Sequence, residues 1–366
     1  MNQHSTITRL LILTVLAAAV SVPTSAFAAP VAAGATAATA ALPVTTGPIL
    51  HDVRPGYGVT SIGWLSDYFA PIRGSAVDTR VYYLDSRMPG PTLFILGGTH
   101  SNEIAGIMAA TLFVERAVAA CGRIIVVPYA NSSGASYADT IHPEIGFYSI
   151  VAQSGVRTFR YGDRRTSPAH QGPDPEKYVH HPSEQVFAGD ESRNLDRAHP
   201  GKPDGNLTQQ LAYAYHRLLL KEQVDTAFDL HEAGPTSRLA NMVVANPKNL
   251  DFAVMAVVDL EMQGIVMNVE HSSNDFRGLS HREWGDATPA RSYLVETPNP
   301  AQLREAVGPD VVGDPANPLA RRTATHLATI DAVLAAHELI EGTRTRWTGL
   351  PSYRELVTNG LGTYLR

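Results

Sequence analysis

Cysteine occurs once, at Cys121, so no disulfide can close within the chain. The residue sits in an Ala-rich stretch and reads as a small core side chain rather than a nucleophile. Charge is also scarce: 17% of residues are Asp, Glu, Lys or Arg, and the net charge is -6. That balance offers nothing to hold a phosphate backbone, so nucleic acid is not an expected partner. No apolar stretch after the first two dozen residues is long enough to span a bilayer. Internal repeats are absent, and no Gly-x-Ser-x-Gly elbow supports a serine hydrolase. What remains is a chain of 366 residues, 44% hydrophobic, enough for one large domain or two modest ones.

The N-terminus reads as a targeting segment, with an uncleaved anchor as the alternative. Arg9 precedes the apolar stretch Leu10 to Val22, and Ala26-Phe27-Ala28 offers a small-x-small cleavage site. Residues 1–28 are therefore expected to be a signal peptide and 29–49 a disordered leader rich in Ala, Thr, Gly and Pro. The protein is expected to be secreted or periplasmic, with no stable membrane insertion after cleavage. A catalytic domain is expected over 50–342, with 343–366 a polar tail packed on the surface.

Thr79 to Leu84 reads as a strand, and Pro91 to Leu96 as a strand buried on both faces. Apolar residues at helical spacing predict a helix from Glu103 to Ala120, ended by Gly122, and Arg123 to Pro128 is the next strand. Strand, helix, strand in that order is a βαβ unit, which predicts an α/β fold with a largely parallel sheet. Residues 131–192 lack periodicity and read as a functional loop or insertion. The rhythm resumes with a helix at 207–222, strands at 225–231 and 239–245, and a helix at 248–263. An irregular stretch follows to about 289, then a strand from Ser292 that ends at Glu296. Pro318 to Glu341 reads as a helix, with Asn317 as N-cap and Pro318 in the first helical position.

The chemistry concentrates at strand ends. Leu93-Phe94-Ile95-Leu96 runs into Gly97-Gly98-Thr99-His100-Ser101-Asn102-Glu103, which places a His and a Glu three apart at a strand–helix junction. A second apolar run ends in Asp229-Leu230-His231. Two imidazoles and a carboxylate, with one position left open, form the ligand set of a catalytic zinc that activates water. Taken alone, His-x-x-Glu fits capping and packing as well as metal binding, and it recurs at His181 to Glu184 without a preceding strand. His231 alone fits a hydrogen-bonded core histidine, and Asp229 fits an outer partner for it. Glu232 faces the other way and reads as structural. Polar residues of the loop (Tyr137, His142, Tyr148, Arg157, Arg160, Tyr161, His170, His180, His181) and of the later stretch (His271, Arg277, His281, Arg282) are candidates to border a cleft.

Gly97 to Glu103 closely resembles the GGTHGNE motif of the succinylglutamate desuccinylase/aspartoacylase family, relatives of the zinc carboxypeptidases. Asp229-Leu230-His231 resembles that family's second zinc motif, Arg193 to Gly201 its Asn-Leu-Asn-Arg-x-Phe-Pro-Gly segment, and Leu294 to Thr297 the strand end bearing its catalytic Glu. The four motifs stand in the family's order across residues 80–300. The resemblance implies a single zinc-carboxypeptidase-like domain, with a mixed, largely parallel central sheet flanked by helices. It implies one Zn2+ per chain on His100, Glu103 and His231. Glu296 would be general base and acid as zinc-bound water attacks an amide carbonyl. Arg197 would bind the substrate carboxylate, with Arg193 a second candidate for that or for polarising the carbonyl. The expected function is a deacylase of N-acyl amino acids. The alternatives are a zinc carboxypeptidase acting on peptides, including cell-wall peptides, and an exported binding protein on a degenerate hydrolase scaffold. The chain departs from the pattern at Asp196, where the family has Asn, and at His199, where it has Phe. It departs again after Glu296, where helix is expected in place of a strand-rich domain.

Overall fold

The computed structural model describes residues 47–303 and 305–366. The expected signal peptide and residues 29–46 of the expected leader lie outside them.

In chain order the elements are β1 (Ser61–Trp64), β2 (Arg80–Asp85), β3 (Thr92–Gly97), α1 (Ile104–Arg116), β4 (Val118–Cys121) and β5 (Arg123–Val127). Two hairpins follow, β6 (Phe147–Ala152) with β7 (Gly155–Arg160) and β8 (Lys177–Val179) with β9 (Val186–Ala188). Then come α2 (Leu207–Lys221), β10 (Thr226–Ala233), β11 (Met242–Ala245), α3 (Leu250–Met262), β12 (Asn268–His271), α4 (Ser280–Ala287), β13 (Arg291–Pro298), α5 (Leu319–Glu341), β14 (Arg346–Thr348) and α6 (Tyr353–Asn359).

Eight strands form the central sheet in the order β1-β2-β5-β3-β10-β13-β11-β12. Its middle, β5-β3-β10-β13, is parallel throughout. β1 and β2 extend it antiparallel on one side, and β11 joins β13 antiparallel on the other. The continuous apolar run of β3 is explained by burial on both faces: Leu93 and Ile95 join the core under α1, α3 and α5, while Phe94 and Leu96 join the core under α2 and α4. Phe94 meets the rings of Tyr215 and Trp284 on that second face. The fold is the mixed, largely parallel α/β sheet with flanking helices that the sequence predicts.

Several local expectations are corrected. The helix expected to Ala120 stops at Arg116, because Ala117 is extended and Val118–Cys121 pairs antiparallel with β14 from the tail. Cys121 therefore lies half-buried on a small edge sheet, its thiol donating to the Pro89 carbonyl, rather than in the core. Pro318 is the N-cap of α5 rather than its first helical residue, and Asn317 precedes the cap. The stretch before β13 is not wholly irregular, since it holds β12 and α4, whose Trp284 is fully buried. The tail is no surface appendage: Leu356, Leu361 and Leu365 enter the main core, and the Arg366 amide donates to the buried Glu115 carboxylate.

Candidate metal centre

The site forms where the parallel strands end. Gly98 adopts φ 72°, a conformation L side chains rarely take, and so turns the chain sharply out of β3. A Cβ on Gly97 would lie 2.6 Å from the Gly106 carbonyl, so glycine also lets α1 pack directly on the strand end. His100 then sits on the turn and Glu103 immediately before α1. β10 beside β3 brings in His231, and β13 beside β10 sets Glu296 in register with His231. Side chains alternate along a strand, so Asp229, His231 and Glu296 share one face and Glu232 and Thr297 the other.

His100 Nδ1 lies 2.8 Å from Glu103 Oε1, and His231 Nδ1 lies 2.9 Å from Glu103 Oε2. The two Nδ1 atoms are 3.2 Å apart, and all three residues are at most 1% exposed. The outer nitrogen of His100 contacts Asn194 Oδ1 at 3.0 Å. That oxygen also accepts the Asp196 N–H, so it is an acceptor and His100 Nε2 carries the proton. His100 Nδ1 therefore turns a lone pair toward Glu103. His231 Nε2 faces Asp229 Oδ2 at 3.0 Å, though off the line of a hydrogen bond, and Thr99 Oγ1 donates to Asp229 Oδ1 at 2.8 Å. Acceptor atoms thus converge with too few protons between them. A proton on His231 serves Glu103 and Asp229 but leaves His100 facing a carboxylate; a divalent ion satisfies all three residues at once. Asn194 and Asp229 stand where outer partners that orient metal-bound imidazoles are found. The donor set fits a metal ion.

The electrostatics agree. Burial works to raise Glu103, but the two imidazoles beside it, His100 and His231, outweigh that and hold the carboxyl well below the usual range. Burial works to lower His231, yet Asp229 and Glu103 carry it well above an ordinary histidine. Glu296 is 9% exposed and its Oε2 has no hydrogen-bond partner. Burial first, and then the Glu103 charge, push it well above an ordinary carboxyl. Asp196 is buried, accepts the Ser280 N–H at 3.0 Å, and comes with Asp229 and His231 into a second group of ligand-type atoms, all within 4.8 Å of one another. His199 occupies its position as a core ring: Trp284 Nε1 donates to its Nδ1, and burial pushes it down to about 3.

The structure brings His100, Glu103, His231 and Glu296 together. Arg197 lies close by, with Nη1 donating to the Asp196 carbonyl and with only long contacts, 3.7 and 3.8 Å, to Glu191 and Asp196. Arg193 is elsewhere engaged: its guanidinium makes a two-point bridge to Asp174 and donates to the Thr166 carbonyl. Arg193, the second candidate for the substrate carboxylate or for polarising the carbonyl, thus has its guanidinium engaged within the fold. Sequence reasoning missed Arg164, whose Nη1 lies 3.2 Å from Glu103 Oε1, and Gln302, whose amide donates to the same oxygen at 3.3 Å. The adjacent cations Arg164 and Arg165 after a Gly-Asp turn were the available signal. Of the loop residues singled out, Arg157 is buried against Glu115, and Arg160 lies over the Phe147 ring. In the later stretch, His281 is buried with Nε2 on Ser272, Arg277 bridges Glu283, and Arg282 bridges Asp286. A cavity of about 400 Å³ is lined by Asn102, Asp139, Ile141, Arg164, Arg165 and Asp190 among others, and Arg164 links it to Glu103.

A mixed α/β sheet with a His-Glu-His cluster at the ends of its parallel strands is the class of protein these observations define. Residues 89–287 match the model of the succinylglutamate desuccinylase/aspartoacylase catalytic domain, and the chain belongs to that family. Within the matched span lie His100, Glu103, Arg193, Arg197 and His231; Glu296 falls just beyond it. An N-alpha-acetyl-L-2,4-diaminobutyric acid deacetylase of Halomonas elongata is 28% identical over 152 residues, 41% of this chain and 31% of that one. A succinylglutamate desuccinylase structure from Silicibacter aligns over 76% of this chain and 65% of its own at 18% identity, TM-score 0.43. A metallo-carboxypeptidase structure from Burkholderia cenocepacia aligns over the same shares at 14% identity, TM-score 0.47. The chain thus spans about a third of the deacetylase and less than two thirds of either solved chain.

Proposed function

We propose that the protein is a secreted zinc-dependent hydrolase of amide bonds that removes the acyl group from small N-acyl amino acids. The observation that carries the reading is the convergence of His100 Nδ1, His231 Nδ1 and the Glu103 carboxylate beside the unpartnered Oε2 of Glu296. Family membership and the deacetylase relative support the reaction class. Export rests on the apolar stretch Leu10 to Val22 and the Ala26-Phe27-Ala28 site.

His100, Glu103 and His231 would hold the ion, two nitrogens and a carboxylate being a common zinc set with one position open. A bound zinc supplies Lewis acidity that polarises a carbonyl and acidifies water. Glu296 takes the proton from the attacking water and returns it to the leaving nitrogen. Its buried Oε2, which no other group engages, is placed to hold the proton between those two events. Arg164, whose guanidinium reaches the cluster at Glu103, would donate to the oxygen that gains charge. Arg197, with most of its donors uncommitted, grips a substrate carboxylate and fixes its register.

A carboxypeptidase acting on peptides is the second reading. It is favoured by the placement of the segment after α5, which packs on α1, β4 and α5 and contributes none of the residues named around the cavity. Elemental analysis of the purified protein tests the metal, with about one zinc per chain expected and its loss in His231→Ala. Absence of metal together with failure to take up added zinc overturns the hydrolase reading. A panel of acyl amino acids and peptides then separates the two substrate classes.

A further inference from the structure

We infer that Glu232 is a positioning residue for the metal ligand Glu103, acting from the opposite face of the sheet as the N-terminal cap of α1. The inference rests on the reading of His100, Glu103 and His231 as metal ligands.

A helix opens with backbone N–H groups that have no partner within it, and a side chain just before the helix ordinarily accepts one. Here the residue at that position is Glu103, and its carboxylate is committed to His100 and His231. It makes no capping bond, and no acidic residue stands in the first turn of α1. Glu232 fills the gap from another strand. Its Oε2 accepts the Ala105 N–H at 3.0 Å, in the first turn of α1. The same oxygen accepts from Asn299 Nδ2 at 3.2 Å, and that amide also donates to the Asn102 carbonyl at 3.0 Å. The backbone N–H of Glu232 donates directly to Glu103 Oε2 at 3.0 Å. One residue thus holds the turn that carries Glu103 both by the backbone of α1 and by the ligand carboxylate itself.

A carboxylate buried so completely needs a partner. Arg322 of α5, 1% exposed, donates to Glu232 Oε1 and spends its other donors on the Asn317 and Val311 carbonyls. Thr297 Oγ1, which also contacts His326 Nε2, completes the shell. The chain runs from α5 through Arg322 and Glu232 to the first turn of α1, and from there to Glu103. His231 and Glu232 are consecutive on β10: one faces the metal cluster, and the other braces the neighbouring ligand from behind.

The test compares zinc affinity, measured by chelator competition, in two double variants. Glu232→Gln with Arg322→Met keeps an acceptor for the Ala105 N–H and leaves no buried charge. Glu232→Met with Arg322→Met removes the acceptor as well. Both lose the same ion pair, so a purely structural role moves them together. The first is expected to stay within about threefold of the parent and the second to bind zinc about 10–100-fold more weakly, the usual cost of losing an outer-shell partner. Equal affinities in the two variants overturn the inference. If the methionine pair does not fold, Asn299→Ala replaces it, with a clearly weaker zinc Kd expected and an unchanged one overturning the inference. A parent protein that binds no zinc is a different failure, that of the metal reading itself.

Discussion

Replacing Glu296 by Gln separates catalysis from metal binding and from folding, because each responds with a known sign. The side chain is buried, its Oε2 has no partner, and burial and the Glu103 charge hold its proton affinity well above the ordinary. A carboxyl whose folded pKa lies above its unfolded value favours the fold when protonated. That advantage is complete below the unfolded pKa and is lost as pH rises through the folded one. At neutral pH, above the unfolded pKa, holding this carboxyl in the fold is therefore a cost to the metal-free protein, and the neutral amide removes it. Metal-free Glu296→Gln is expected to melt at the same temperature as the parent or higher. Zinc content should be unchanged, since Glu296 is not among the three converging residues. Turnover should fall steeply: a positioned acid–base group contributes about 10²–10⁴-fold, or about 3–5 kcal/mol of barrier. The assay is kcat/KM on the best substrate of the panel, with zinc per chain and Tm measured on the same preparations. Loss of zinc would make Glu296 a ligand, and retention of more than about a tenth of parental activity would remove it from the proton path.

The two arginines should separate cleanly. Arg197→Ala is expected to lower kcat/KM about 10–100-fold on carboxylate-bearing substrates, the worth of a charge-assisted hydrogen bond, and to do little to Tm. Arg193→Ala should lower Tm and leave KM unchanged, because its guanidinium already holds Asp174 and Thr166; the reverse pattern would return Arg193 to the substrate. Arg157→Met leaves the buried Glu115 without a cationic partner, with only the Arg54 and Arg366 amides donating to it, and should cost about 3–5 kcal/mol in denaturant unfolding, where a loss under about 1 kcal/mol would contradict the structure. Acid should weaken the fold through His199, His281 and His326, each pushed by burial from the ordinary histidine range down to about 3. Below pH 6.5 the unfolded chain binds protons that the folded one refuses, so stability falls with pH, by about 2 kcal/mol per histidine at pH 5. His199→Phe, which cannot titrate, should flatten that slope, and an unchanged slope would mean that His199 charges within the fold.

What was legible in the sequence was set by periodicity. β3, β10 and β13 are apolar runs buried on both faces, and such runs announce themselves; the residues that end them, His100, His231 and Glu296, were readable for the same reason. β4 was read as helix because Val118-Ala119-Ala120-Cys121 carries little side chain to decide the matter, and pairing with β14 decided it from far along the chain. α4 is eight residues long and mostly polar, with Trp284 its one large apolar anchor. The 131–192 stretch hid a strand whose alternation is regular, Tyr148, Ile150 and Ala152 inward and their neighbours outward, beneath a composition rich in turn formers. Arg164 and Arg193 show the limit most plainly. Beyond the pairing of Arg164 with Arg165, nothing local distinguishes an arginine that reaches Glu103 from one locked on Asp174, since the partners lie on other segments.

The partners of buried acids also show why the site calls for a cation. Away from the cluster, Glu115, Glu232 and Glu283 each face an arginine, namely Arg157, Arg322 and Arg277. Asp78, Asp139 and Asp163 are each satisfied by two or more N–H or O–H donors. The remaining buried acids among the described residues are Glu103, Asp196, Asp229 and Glu296, all gathered around His100 and His231. Two guanidiniums, Arg164 and Arg197, approach them, and neither makes a close two-point bridge. Burying charge without compensation costs several kcal/mol per ion, so four buried carboxyls with two guanidiniums at hand must draw further positive charge from protons or from a bound cation. Protons can make up the difference one carboxyl or imidazole at a time; a metal ion would do so at the point where His100, Glu103 and His231 meet, and the donor set there fits one.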